Sequence, residues 1–317
     1  MYFRTALSAT PTAAARPLRF NTGSSRLSHV DTVRGVLLVL MAINHIPSDL
    51  HAITDHPLGF MSAAEGFVFL AGLMAGYVYT RTGLRSGIRG IFPACKKRAV
   101  SIYRWHLCSF LTVLAGLMAI GFVAGELPAN TPASFLVHPS LTLLTGAVLV
   151  QQPALFDILP MYCALLLVTP WCLQLLFKNA HARLLGGSLA LWLAANLFCA
   201  QRPFDRGLIN TGAFNLAAWQ FLYVTGLPFG HRWARRAQDH SHASVSPHLL
   251  PTPSKGVLAG LLAFATLLFC VRHGYLPTGL SAATLDALTN KNNLAPIRLL
   301  DTALLVYLVY LAVSRFP

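Results

Sequence analysis

The chain has 317 residues, of which 55% are hydrophobic and only 11% charged, with a mean hydropathy of +0.57 and a formal charge of +14. These values exclude an ordinary soluble domain, in which charged residues make up about a quarter of the chain. They also turn the basic charge away from nucleic acid, because most of the 24 Lys and Arg lie in short connections beside apolar runs, where they orient helices in a bilayer.

In chain order, residues 1–29 carry Arg4, Arg16, Arg19 and Arg26, no acid, and many Ala, Thr and Ser. That composition predicts a disordered cytosolic leader ahead of an integral membrane domain over 30–317. Apolar runs predict spanning helices near 31–50, 60–80, 99–125, 154–177, 182–200, 212–230, 255–273 and 296–314, each long enough for a hydrocarbon layer of about 30 Å. A further stretch, "SFLVHPSLTLLTGAVLVQQP", is bracketed by Pro132, Pro139 and Pro153, and its periodicity alone fits a span or a surface segment. Charge decides between them. If that stretch spans, Arg232, Arg235, Arg236 and Lys255 face outward, against the excess of basic residues on the cytosolic side. The expected fold class is therefore all-α, a polytopic transmembrane helix bundle of about eight spanning helices plus one non-spanning outer segment at 127–153, with both termini inside. The six cysteines show no metal-ligand spacing and read as small buried side chains.

Ionisable groups at helix depth cost roughly 2.5–3.5 kcal/mol each on insertion scales, so each is a site candidate. "VDTVRGVLLVLMAINH" holds Asp31, Arg34 and His45. At about 100° per residue, Arg34 and His45 fall within roughly 20° of one face, with His45 about 16 Å further toward the outside. Asp31 lies one turn before Arg34 and is placed to pair with it. The next helix, "SAAEGFVFLAGLMAGYVY", puts Glu65 near its outer end, close to the expected depth of His45, so a His45–Glu65 pair is predicted, the carboxylate orienting the imidazole. Its small residues, Ala63, Ala64, Gly66, Ala71, Gly72, Ala75 and Gly76, permit close backbone approach. As alternatives, Glu65 is a structural partner for Arg104 or His106, and Arg34 a residue that reaches for head groups. Asp157, at the outer end of "FDILPMY", lines a polar cavity or marks the interface. Arg298 and Asp301, one turn apart on the last helix, read as an internal ion pair. "SDLHAITDHP" gathers Asp49, His51, Asp55 and His56, a conceivable metal set, but a solvated outer loop is the expectation and no metal is predicted.

The spacing in "RGVLLVLMAINH" resembles the arginine-to-histidine signature of the acyltransferase-three superfamily of membrane-bound acyl transferases. Within it, the chain is most similar to the OpgC type, succinyl transferases of osmoregulated periplasmic glucans. The segments "AAEGFVFLAGLMAGYVY", "QQPALFDILPMY", "FNLAAWQFLYVTGL" and "NKNNLAPIRLLDTALLVYLV" resemble OpgC segments in the same order. The resemblance implies a bacterial inner-membrane enzyme with His45 as the essential catalytic histidine; the hairpin geometry adds the expectation that His45 is a general base oriented by Glu65. The resemblance also implies that Arg34 serves the acyl-CoA; from the residues themselves, Asp31 is expected to hold Arg34, and Arg104 and Asp157 to support the site. The resemblance implies no bound cofactor, succinyl-CoA as co-substrate, and the bilayer and a periplasmic glucan as partners. OpgC-like chains continue with a further helix pair past the equivalent of Pro317, so the domain is expected to lack that pair. An O-acetyl transferase for another envelope polysaccharide stays open, as does a carrier or flippase with Glu65, Arg104 and His45 along its path.

Overall fold

A computed structural model describes residues 24–46, 48–126, 138–150, 156–198, 214–239 and 250–315. Residues 1–23 of the expected leader, most of the flanks of the expected outer segment and the His-containing linker at 240–249 lie outside the described residues. All regular structure among the described residues is helical. The helices are α1 (Ser24–Ile43), α2 (His51–Thr54), α3 (Ala63–Ser86), α4 (Ile91–Ala124), α5 (Pro139–Ala147), α6 (Ile158–Phe177), α7 (His181–Phe198), α8 (Leu216–Asp239), α9 (Lys255–Arg272), α10 (Ala282–Thr289) and α11 (Pro296–Arg315).

Five of these segments are long and apolar enough to cross a membrane: α3, the Ile88–Ala124 stretch that contains α4, α6, α9 and α11. The other three expected spans also fold as helices (α1, α7 and α8), although they fall short of that mark of length and apolarity. The described part of the 127–153 segment is α5, whose nine residues rise only about 14 Å, too short to cross on their own. α1 begins at Ser24 rather than near residue 30. α4 begins at Ile91, so the basic residues Lys96, Lys97 and Arg98, expected in a connection, ride on its first turns with their side chains exposed. Pro93 sits in the first turn of α4, where a proline costs no helical hydrogen bond. The true connection is a short 3-10 turn, Ile88–Gly90, entered through Gly87 at φ 74°.

The core is a seam between α3 and α8. A Cβ placed on Gly72 would run into the Tyr223 backbone, and one on Gly76 into that of Leu227. From the other side, Gly226 abuts Phe69 and Leu73, and Gly230 abuts Leu73 and Tyr77. Each helix thus presents two glycines four residues apart, and the pairings advance together along both, so the helices run parallel with their backbones in contact. Phe69–Phe229 and Tyr77–Trp233, with ring centroids 6.0 and 5.1 Å apart, flank the seam. Around it pack Ile91 of α4, Leu166, Leu173 and Leu176 of α6, and Trp219, Tyr223 and Leu227 of α8, all fully or almost fully buried. A smaller cluster of Phe60, Leu268 and Leu304 joins α9 to α11.

The seam makes a direct prediction. Gly72→Leu forces a side chain into the Tyr223 backbone and should cost about 1–3 kcal/mol or more, seen as a lower melting temperature of detergent-purified protein; an unchanged melting temperature would remove the seam from its central place.

Candidate active site

The N-terminal ends of α3 and α11 meet at a buried cluster of charges. Glu65, in the first turn of α3, is completely buried. Its Oε2 accepts the Ser62 backbone N–H at 2.9 Å and the Ser62 hydroxyl, the reach-back of a helix-capping carboxylate. Its Oε1 accepts Arg298 Nε at 2.8 Å and also Arg298 Nη2. Arg298, 5% exposed, turns the rest of its fork to His56, with Nη1 and Nη2 each 3.2 Å from Nε2. A guanidinium can only donate, so Nε2 accepts; Nδ1 lies 2.7 Å from Asp55 Oδ1 and 3.3 Å from Arg272 Nη2, and the shorter carboxylate contact assigns it the ring proton, donated to Asp55. Burial pulls the His56 pKa below its ordinary value; the Asp55 hydrogen bond pushes back and the Arg298 charge adds to the lowering. His56 also holds φ at 57°, a left-handed conformation rare for a side-chain-bearing residue. Asp301, fully buried, accepts the backbone N–H groups of Phe60 and Met61 at 2.6 and 2.8 Å through Oδ2.

Local sequence explains how Arg298 reaches this place. The "NKNNLAP" turn before α11 is fastened from two sides. Trp192 Nε1 donates to the Leu294 carbonyl at 3.0 Å, Trp219 Nε1 to Lys291 and Asn292 at 3.1 Å, and Asn196 Nδ2 to Asn293 at 3.0 Å. Asn215 completes the clamp through its amide to Asn293 Oδ1 at 2.9 Å. α7 and α8 therefore fix where α11 starts, and Arg298 follows in its first turn.

Several sequence expectations change here. Glu65 pairs with Arg298 and not with His45, Arg104 or His106. A carboxylate this deeply buried needs a full opposite charge, which an imidazole that shares its proton does not supply. Arg298 consequently does not pair with Asp301, which spends its accepting oxygen on loop backbone. α1 ends at Ile43, and His45 lies in the turn that follows, with its side chain exposed, so the expectation that His45 shares a helical face with Arg34 fails at the helix end. Depth shifts as well. Leu37 packs where a Cβ on Gly66 would lie, 3.1 Å away, so Arg34, three residues earlier, is only about 4.5 Å further along α1, level with the N-terminal half of α3 rather than with its far end. Arg34 Nη1 does pair with Asp31 at 3.1 Å. Its Nε is buried without a hydrogen-bond partner among the described residues, and Tyr162 of α6 lies within electrostatic reach of both Arg34 and Arg98. Arg104 is exposed on α4, and Asp157 is buried just before α6.

Of the conceivable metal set, Asp55 and His56 pair with each other, and among the described residues no three His, Cys, Asp or Glu side chains gather around a common point. Arg298 and His56 are the residues whose part sequence reasoning missed. The signal was present: a carboxylate inside an apolar run demands a cation, and Arg298 enters the last helix at the same outer end.

Fold and cluster together define a helical membrane protein with a buried ion pair, Glu65–Arg298, at one end of its bundle. The family model described as OpgC protein matches residues 26–317, and the chain belongs to that family, which makes it a transferase of the glucan-modifying acyltransferase class. No curated protein and no solved structure matches it.

The cluster is testable as a unit. Arg298→Met should destabilise the protein by about 3–5 kcal/mol, because it strands the Glu65 carboxylate, and Glu65→Gln added to it should restore most of the loss. Size-exclusion recovery of folded protein from membranes reads both, and a stable single variant would contradict the pairing.

Proposed function

We propose that the protein transfers a succinyl group from succinyl-CoA to hydroxyls of a periplasmic glucan, as an inner-membrane protein of about eight spans with its N-terminus in the cytosol. The observation that carries this reading is the family match over residues 26–317, joined to a chain in which His45 and the charged cluster lie at one end of the bundle and the basic turns of α4 at the other. His45, exposed at the acceptor side, acts as general base. It takes the proton of the sugar hydroxyl as that oxygen attacks the thioester carbonyl; the C–S bond breaks, and the departing thiolate receives the proton to leave as CoA thiol. A positioned imidazole contributes a rate factor of about 10² to 10⁴.

Arg34 serves the acyl-CoA. Its depth suits the thioester end of the donor better than the nucleotide, and its partnerless Nε is a donor aimed at a carbonyl or phosphate oxygen. Asp31 holds the other side of the guanidinium. Glu65 contributes by fixing the loop that follows His45 to α11 through Arg298, with Asp157 and Arg104 supporting the neighbouring helices. No bound cofactor enters this scheme.

Two variants test it. His45→Ala should lower the succinate content of extracted glucans by at least about 100-fold with the protein still in the membrane; unchanged succinylation would take His45 out of the reaction. Arg34→Ala should raise the KM for succinyl-CoA, and an effect confined to acceptor kinetics would refute donor binding.

A further inference from the structure

The surface next to the buried cluster carries a strip of polar and aromatic groups, of which Asp55 and Arg272 also touch His56 Nδ1, at 2.7 and 3.3 Å. Asn44, adjacent to exposed His45, ties the two ends of its loop together: Nδ2 donates to the Thr54 carbonyl at 3.1 Å, and the Thr54 hydroxyl bonds to Asn44 Oδ1. Thr54 leads directly to Asp55, whose Oδ1 is committed to His56. The other oxygen, Oδ2, stands 3.8 Å from Arg272 Nη2, beyond hydrogen-bond range, and both side chains are about one-third exposed, 31% and 38%. Arg272 closes α9, and the turn beyond it is fixed by Gly274 at φ 75° and by the Tyr275 N–H bonded to the Cys270 carbonyl at 2.9 Å. That turn stacks Phe269 and Tyr275, ring centroids 6.2 Å apart and planes 24° apart, with His273 4.4 Å from Phe269. Tyr275 is 70% exposed.

This inference rests on the transfer proposed above and names where the acceptor binds. We propose that Asp55, Arg272 and Tyr275 form a subsite for a neutral hexose polymer, which holds a sugar beside His45. The chemistry fits a saccharide. Adjacent hydroxyls of one ring donate to Asp55 Oδ2 and accept from the solvent-facing side of the Arg272 guanidinium, bridging the loose ion pair that the two partly exposed side chains form. The apolar C–H face of a neighbouring ring rests on Tyr275, whose stack keeps it in place. An anionic ligand would be opposed by Asp55, and a purely apolar one would gain nothing from the Asp55–Arg272 pair. Because Asn44 and Thr54 join the loop ends, a sugar at Asp55 lies within a residue or two of His45 along the strip.

A competing account is a tyrosine anchored at the membrane–water boundary, where aromatic residues collect. Full-length protein in nanodiscs is titrated with a neutral gluco-oligosaccharide in the absence of donor, and succinyl transfer to the same oligosaccharide is measured separately. Wild type should bind. Tyr275→Ala should weaken binding and raise the acceptor KM roughly tenfold with the succinyl-CoA KM unchanged. Tyr275→Phe should restore both, Arg272→Gln should weaken both, and Phe122→Ala, which removes an exposed ring on α4, should leave both at wild-type values. Wild-type affinity in Tyr275→Ala, or an equal loss in Phe122→Ala, overturns the subsite in favour of a boundary anchor. Binding without any succinyl transfer by wild type keeps the subsite and overturns the proposed reaction; transfer with an acceptor KM indifferent to Tyr275 and Arg272 does the reverse.

Discussion

Backbone contact between α3 and α8 sets the geometry of everything at the outer end. Gly72 and Gly76 on one helix and Gly226 and Gly230 on the other remove the side chains that would hold the two apart, and in a bilayer such packing replaces the hydrophobic drive that lipid withholds. The helices run parallel, so both begin at the same outer level. α3 begins with Ser62 and Glu65. α8 begins with Asn215 and Trp219, which grip the turn at 290–295 and so deliver Arg298. The ion pair thus joins two elements already aligned by the seam, which removes much of the ordering cost that a buried charge pair otherwise bears.

The pair has consequences of its own. Glu65 receives two bonds from Ser62 and the Arg298 fork, so both of its carboxylate oxygens are engaged. Its part is to fasten. Through Arg298 and His56 it pins the loop after α1, with Asp301 holding Phe60 and Met61 of the same loop. The loop that carries His45 and Asp55 is therefore fixed to the last helix and not only to its neighbours in sequence, and the reacting groups proposed here stand on a rigid rim.

Much of the fold was legible in the residues. Apolar run lengths located the helices because a membrane span must satisfy its backbone internally, and the small residues of α3 announced a close contact, although not its partner, since parallel pairing with α8 depends on a second glycine pair far along the chain. The Asp31–Arg34 pair was legible because it is local. Glu65 was recognised as a site residue, yet its partner was misjudged: sequence proximity suggested His45 across a hairpin, whereas the demand of a buried carboxylate for a full charge selects Arg298 from the other end of the chain. The end of α1 at Ile43 carries the ordinary stop signal, Asn44 directly after it and Pro47 three residues further on, but the apolar run through Ile46 masks it.

The proposed function rests on an axis from Arg34, within the bundle, to His45 on the rim, in a chain that belongs to the OpgC family. The measurement that tests this most directly uses sealed vesicles holding the full-length protein, labelled succinyl-CoA on the side of the α4 basic turns, and a neutral gluco-oligosaccharide on the other. The account predicts labelled ester on the oligosaccharide and an equal amount of free CoA thiol on the donor side. An unlabelled oligosaccharide with the thioester intact, in vesicles where the protein is folded, would contradict it.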